Sequence, residues 1–286
     1  MVSTDGMLSA CTYVPKGGVG KTTTTAHVAV SAAQDHDLEV LVIDLAGTQN
    51  DLATQFGMRD VLDNIDAPIS AIFGDQWEFI KANVDDVIGR MTYPTDEGPD
   101  LIPADDGIGA ADNNLANINN DERYDKLAAF VAEFVAPEYD LLLVDLPGKE
   151  DNIALNGLFA AEDVLVPLCP GEFEANQLWA LSDDLDRLRS NHAETYDARP
   201  RLSLVVPTRI DATTNLSNTF VGEIKADYGD LVTEDAVPDS ANVGYGQRNG
   251  HTLFAYPDDE LYSTGERARE AYRAVTTDLL TTLEDT

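Results

Sequence analysis

Short runs of consecutive apolar residues alternate along the chain with longer stretches in which apolar positions recur every three or four residues. That is the pattern of strands buried on both faces, interleaved with covering helices. Leu8 to Val14 predicts one such strand, and Glu39 to Asp44, carrying Val40, Leu41, Val42 and Ile43, predicts another. Between them, Thr22 to Gln34 predicts a helix with a small apolar face of Ala26, Val28, Ala29, Ala32 and Ala33. Asp140 to Asp145, Val164 to Leu168 and Leu202 to Val206 predict three more buried strands, and Asp100 to Pro103 a shorter one. Helices are expected at Tyr124 to Phe134, around Gln177 to Arg189, and from Leu216 to Tyr228. The pattern is weakest between Gly57 and Pro99, where Ile69, Ile72, Phe73, Trp77, Phe79 and Ile80 suggest one or two helices before a turn-rich acidic loop from Tyr93 to Pro99.

The last third predicts a short strand near Leu231 to Val237, a Gly/Asn-rich loop from Asn242 to Gly250, and a terminal helix after Gly265. In that helix Ala268, Ala271, Tyr272, Val275, Leu279 and Leu283 fall at helical spacing, so it should pack on the core. The alternation of strand and helix predicts an α/β fold, a mostly parallel central sheet with helices on both faces. No linker, repeat or low-complexity segment interrupts it, and residues 1–286 read as a single domain.

The clearest chemistry lies where the first strand meets the first helix, in Lys16-Gly17-Gly18-Val19-Gly20-Lys21-Thr22-Thr23. A tight turn of small residues there lets backbone N–H groups point at phosphate oxygens, while the helix N-terminus adds partial positive charge. Lys21 is placed to reach the β and γ phosphates, and the Thr22 hydroxyl to ligate Mg²⁺. Pro15 stands at the first glycine position of the ordinary G-x-x-x-x-G-K-[ST] motif, with Lys16 beside it. The alternative, a glycine-rich turn with incidental lysines, fits poorly with two lysines bracketing Gly-Gly-Val-Gly.

This segment resembles the signature K-G-G-x-G-K-[ST] of the ParA/MinD group of deviant Walker A P-loop ATPases, and ParA-type partition ATPases most closely. The resemblance extends along most of the chain. Leu141 to Gly148, LLLVDLPG, looks like the family's Walker B strand, which makes Asp145 a candidate for the Mg²⁺ shell; the bland reading is an Asp opening a Pro-Gly turn. Asn156 to Pro167 is similar to the stretch after Walker B, and Asp100 to Pro103 to the family's third-strand signature. Val206-Pro207-Thr208-Arg209 and Val237-Pro238-Asp239 occupy the places of the family's adenine-binding loops, so Thr208, Arg209, Pro238 and Asp239 are expected near the base; plain strand-end turns are the alternative.

The resemblance implies ATP and ADP as ligands with Mg²⁺, and an ATP-dependent homodimer in which Lys16 crosses to the partner's phosphates. It implies catalytic roles for Lys16, Lys21 and Asp44, and a ParB-like or cargo-adaptor protein with nonspecific DNA as partners. One departure stands out: the family's second-strand motif ends D-x-D, whereas this chain reads Asp44-Leu45-Ala46. Alanine cannot orient water, so slow hydrolysis is expected unless Asp51, Gln49 or another group substitutes. A nucleotide-bound scaffold without significant turnover is therefore a second expectation.

Charge alters the picture of partners. The chain carries 52 acidic against 18 basic residues, a net −34 that should repel nucleic acid and anionic membrane at low salt. The acids are scattered, as on a protein working in the cytoplasm at multimolar salt, where screening shortens the Debye length to about 3 Å; a very acidic mesophilic protein is the alternative. Arg267, Arg269 and Arg273, with Lys225 and Arg248, form a thin candidate DNA surface, and Glu266 and Glu270 interleave with it. A MinD-like membrane helix would need a basic face, whereas the acidic tip Leu283-Glu284-Asp285-Thr286 counts against one. Cys11 and Cys169 lie in apolar stretches and do not read as ligands, which argues against iron–sulfur chemistry. No signal segment or bilayer-length apolar run is apparent, so a cytoplasmic protein is expected, and the resemblance implies that it is nucleoid-associated.

Overall fold

Each buried strand sends its side chains alternately to two separate cores. In the strand of the LLLVD motif, Leu142 and Val144 enter one core while Leu141 and Leu143 enter the other. Leu41 and Ile43 are likewise divided from Val40 and Val42. Period-two alternation with both faces apolar requires covering layers on both sides, and helices supply them.

The structure is a computed structural model describing residues 6–47, 51–119, 122–171, 174–192, 195–196 and 198–285. Its strands are β1 (Leu8–Thr12), β2 (Val40–Asp44), β3 (Tyr93–Pro94), β4 (Asp100–Ile102), β5 (Leu141–Asp145), β6 (Asp163–Leu168) and β7 (Arg201–Pro207). Among the described residues they form one sheet in the order β3-β4-β2-β5-β1-β6-β7, with only β3 antiparallel to its neighbour. The helices are α1 (Lys21–Asp35), α2 (Asp51–Gln55), α3 (Arg59–Leu62), α4 (Trp77–Asn83), α5 (Val87–Met91) and α6 (Ile108–Leu115). They continue with α7 (Lys126–Phe130), α8 (Asn152–Ala161), α9 (Glu174–His192), α10 (Asn215–Tyr228), α11 (Ala241–Asn249) and α12 (Ser263–Glu284). This is the α/β architecture that the sequence predicts.

The small face of α1 (Ala26, Ala29, Ala32) lets that helix lie close against the sheet and α12, whose Ala268, Ala271, Val275, Leu279 and Leu283 share the same core. On the opposite face α7, α8 and α9 contribute Leu127, Phe130, Leu158, Phe159 and Leu181 to the other core.

Three segments differ from the sequence expectation. Asn242 to Gly250 is not a loop: it is the body of α11 as far as Asn249, closed by Gly250 as the C-cap. Leu231 to Val237 is no strand: a 3₁₀ turn at Gly229–Leu231 leads into extended chain with isolated bridges Val205 to Val232 and Ile210 to Pro238. The region from Gly57 to Pro99 breaks into α3, a 3₁₀ turn at Ile69–Phe73, α4, α5 and the edge strand β3.

The arrangement positions the site. Successive connections from β1 run to β2 and β4 on one side of it, while β6 and β7 lie on the other, so the strand order reverses beside β1. Ligands of open α/β sheets bind outside the carboxyl ends of the strands at such a point.

Candidate functional site

The loop after β1 is shaped by two left-handed glycines, Gly18 (φ 77°) and Gly20 (φ 96°). Residues with a Cβ are strained in that conformation. Gly20 is the N-cap of α1 and no side chain caps the helix, so the first-turn N–H groups are left for an anion. Lys21 folds back and donates from Nζ to the Lys16 carbonyl at 2.7 Å. Burial pulls its ammonium below the ordinary value, opposed by the Asp145 charge.

Beneath the loop, β2 and β5 end side by side with Asp44 and Asp145 in register. Asp145 Oδ2 accepts from the Thr22 hydroxyl at 2.6 Å, and Asp44 Oδ1 accepts from the Ala46 N–H at 2.9 Å. The other oxygens, Asp44 Oδ2 and Asp145 Oδ1, are buried without a hydrogen-bond partner. Two buried carboxylates so close cannot both ionise at ordinary cost. Burial pushes Asp145 up to about 7, and burial followed by the Asp145 charge holds Asp44 well above the carboxylate range.

Orphaned, hard oxygen donors converging with a threonine hydroxyl at the foot of a phosphate-shaped loop fit Mg²⁺, which keeps several waters and takes only one or two carboxylates. Thr22 and Asp145 would hold it, with Asp44 beside them. When bound, the ion would supply the positive charge that neutralises phosphate oxygens.

A cleft of about 680 Å³ opens above these groups. Gly17, Gly18, Gly20, Lys21, Thr22 and Thr23 line one side, and Thr208, Arg209, Pro238 and Asp239 line another. The loops after β7 and before α11 are laced together, Ile210 N donating to Val237 O and Asp239 N to Ile210 O. Thr208 is itself buried, its hydroxyl 3.1 Å from the carbonyls of Val19 and Leu168, so it ties β7 to the loop. Val19 lies in the core and does not line the cleft; its carbonyl accepts from Thr208. Lys16, half-buried, lends its carbonyl to Lys21 and does not line the cleft.

Gly148 closes over the loop from the β5 side: a Cβ there would lie 3.0 Å from both Lys16 O and Lys21 Nζ. The Leu-Pro-Gly turn after Asp145 is therefore part of the cradle. Ala46 and Asp51 both line the cleft, while Gln49 falls outside the described residues.

Sequence reasoning missed α11 and Tyr272. Val243, Gly244 and Gln247 line the cleft, Gln247 Nε2 donating to Thr23 Oγ1 at 2.8 Å, and Tyr272 reaches it from α12. No local pattern marks Gln247, because its partner lies more than two hundred residues away. Tyr272 reads only as a core position.

The candidate DNA surface is neutralised in part. Arg269 pairs with Asp258, and Arg273 pairs with Asp35 and Glu270. Lys225 donates to the Glu234 carbonyl, and Arg267 to the Ser263 carbonyl. Cys11 is buried and Cys169 half-buried, both as free thiols. Among the described residues no helix is long and apolar enough to cross a membrane.

Comparison with known proteins agrees with this geometry. Residues 10–197 match the AAA domain family. The chromosome partitioning protein ParA of Myxococcus xanthus is 26% identical over 274 residues, covering 94% of this chain and 87% of that protein. Cobyrinic acid a,c-diamide synthase from Mycobacterium smegmatis, with bound ADP and magnesium, superposes with a TM-score of 0.73 at 22% identity, over 96% of this chain and 94% of that one. A plasmid partition protein of Borrelia burgdorferi bound to AMPPNP has a TM-score of 0.68 at 18% identity, over 98% and 99%. At those identities the structures establish the fold alone. With the family match, the relatives and the two-lysine loop in place, the chain belongs to the AAA domain family and is a P-loop ATPase of the ParA/MinD type.

Proposed function

We propose that this chain is a Mg²⁺- and ATP-dependent partition switch, which binds ATP in the cleft above Asp44 and Asp145 and dimerises around it to position DNA or a large cargo. The carrying observation is the convergence of Lys21, Thr22, Asp44 and Asp145 under a glycine loop that bears a second lysine. Lys21 and the loop N–H groups of Gly17, Gly18, Gly20, Thr22 and Thr23 hold the phosphates, while Thr22 and Asp145 hold the ion. Thr208, Arg209, Pro238 and Asp239 frame the base. Two Mg²⁺–triphosphate units buried face to face would leave uncompensated negative charge, and Lys16 supplied in trans offsets it as an arginine finger does.

Hydrolysis is slow in this reading, because Ala46 sits at the cleft where the resemblance places a water-orienting carboxylate. A ParB-like or cargo-adaptor protein then governs release, in a nucleoid-associated, high-salt cytoplasm. The arginines of α12 are mostly engaged with acids, so a nonspecific DNA contact depends on the doubled surface of the dimer. The buried apolar face of α12 counts against a membrane-binding role for that helix.

The test is size analysis in high KCl of the apo, ADP and ATP forms, with Lys16→Ala alongside, followed by DNA co-sedimentation. ATP-dependent dimers that Lys16→Ala abolishes without loss of ATP binding support the proposal. A nucleotide-insensitive monomer defeats it, and liposome binding without DNA binding would favour a membrane-positioning switch.

A further inference from the structure

Next to the nucleotide cleft lies a second groove of about 820 Å³, open to solvent, between α2–α3 and α11. Thr54, Gly244 and Gln247 line both. Its remaining walls are Gly57, Arg59, Ala241, Tyr245, Arg248, Asn249 and Gly250. Among the described residues no carboxylate lines it, in a chain where acids outnumber bases almost three to one.

Most arginines of this molecule meet a carboxylate, although Arg123 and Arg267 donate to backbone carbonyls instead. Arg90, Arg187, Arg189, Arg201, Arg269 and Arg273 each reach a carboxylate. Arg59 and Arg248 are exposed and reach none among the described residues; Arg59 Nε donates only to the Thr54 hydroxyl at 3.0 Å. Carboxylates do stand beyond Arg59, since the adjoining groove on its other side is lined by Asp63, Asp105 and Asp106. None of those lies within ion-pair reach.

The floor is built for close approach. Gly57 (φ 69°) and Gly250 (φ 79°) meet backbone to backbone, and a Cβ on Gly250 would fall 2.4 Å from Gly57 Cα. Tyr245, 45% exposed, stands on the α11 wall and lines the groove. The C-terminal dipole of α11 opposes an anion here, but its half charge is outweighed by two guanidinium groups. Guanidinium forks, side-chain amides and an exposed aromatic face together match a phosphate attached to a planar base.

We propose that this groove is a second ligand site, which takes a nucleoside phosphate with its phosphates on Arg59 and Arg248 and its base against Tyr245. Gln247 lines both sites and donates to Thr23 Oγ1 in the nucleotide cleft, so occupancy of one biases the other, reciprocally. That coupling rests on the reading of the cleft as the ATP site; the groove itself does not.

The experiment is calorimetric titration of the full chain with Mg-ADP at fixed KCl. Wild type should show two binding events per chain. Arg59→Gln/Arg248→Gln should weaken the weaker event by about tenfold or more and leave the tighter one unchanged. Tyr245→Ala should weaken the same event by on the order of tenfold, the worth of base stacking. Lys21→Ala should remove the tighter event and shift the weaker one about fivefold or more, as coupling free energies do. A single event in wild type overturns the second site, as does a weaker event that survives the double substitution. An identical weaker affinity in wild type and Lys21→Ala overturns the coupling. Loss of the weaker event alone in Lys21→Ala overturns the nucleotide reading of the main cleft while leaving the groove standing. If wild type shows no second ADP event yet binds a single-stranded oligonucleotide through Arg59 and Arg248, the small-ligand assignment is wrong.

Discussion

Asp145→Asn separates the function of the buried carboxylate pair from its cost. Raising Asp145 from an ordinary 3.8 to about 7 means that the folded chain holds a proton which the unfolded chain releases. Folding stability therefore declines as pH climbs from about 4 to about 7, and above that the full penalty, about 4 kcal/mol, is present. Asparagine has the same shape, can still accept from Thr22 through its oxygen, and removes the charge that also raises Asp44. The apo variant should match wild type near pH 4 and exceed it above pH 7. At about 2 °C of melting temperature per kcal/mol for a chain of this size, the gain is on the order of 5–8 °C. The same substitution removes a donor of the Mg²⁺ site, so the further stabilisation that wild type gains from Mg-ADP should be lost. Thermal melts at pH 4, 6 and 8, with and without Mg-ADP, read both effects. A variant less stable than wild type at every pH, or one that keeps its full Mg-ADP shift, would refute the reasoning.

Gly148→Ala places a methyl group 3.0 Å from Lys16 O and Lys21 Nζ, so it should weaken ADP binding about tenfold, measured by calorimetry, with little change in melting temperature. Ala46→Asp should raise ATP turnover on the order of 10²-fold in a phosphate-release assay, and an unchanged rate would remove Ala46 as the cause of slow hydrolysis. His27 is buried with Nε2 accepting from Leu253 N at 3.1 Å, so Nδ1 carries the proton that it donates to Thr23 O at 2.7 Å. Burial pulls its pKa from 6.5 to about 4, so its contribution is intact above 6.5 and declines as pH falls towards 4, by about 3 kcal/mol in all. Denaturation of wild type and His27→Gln across that range should show wild type losing ground by that amount; a pH-independent difference would sink the assignment.

The strands were legible because they are buried on both faces: a run such as Leu141 to Val144 admits few other readings. The phosphate loop was legible because its glycines and lysines are contiguous. Helix α11 was hidden, since Ala-Asn-Val-Gly-Tyr-Gly-Gln-Arg-Asn has poor helix propensity and two glycines. One of them serves packing rather than turning: a Cβ on Gly246 would sit 2.6 Å from the His251 carbonyl. The helix is bounded by the Ser240 cap, which accepts from Asn242 N, and by left-handed Gly250. Leu231 to Val237 misled because Val232 within it and Pro238 just beyond it each make a single bridge to the β7 region, while Glu234 and Asp235 interrupt the run. The orphaned oxygens of Asp44 and Asp145 were beyond the sequence altogether, because register across β2 and β5 creates them.

The bond from Lys21 to the Lys16 carbonyl braces the loop from within. One of the three N–H donors of the ammonium goes to a neutral oxygen of its own turn, which ties the side chain to the backbone it must act beside. The other two donors are left for ligand oxygens, and each such bond strengthens with the charge on the incoming group. The side-chain freedom that a long lysine would lose on meeting a phosphate is therefore given up in folding, and less of it remains to be lost on binding.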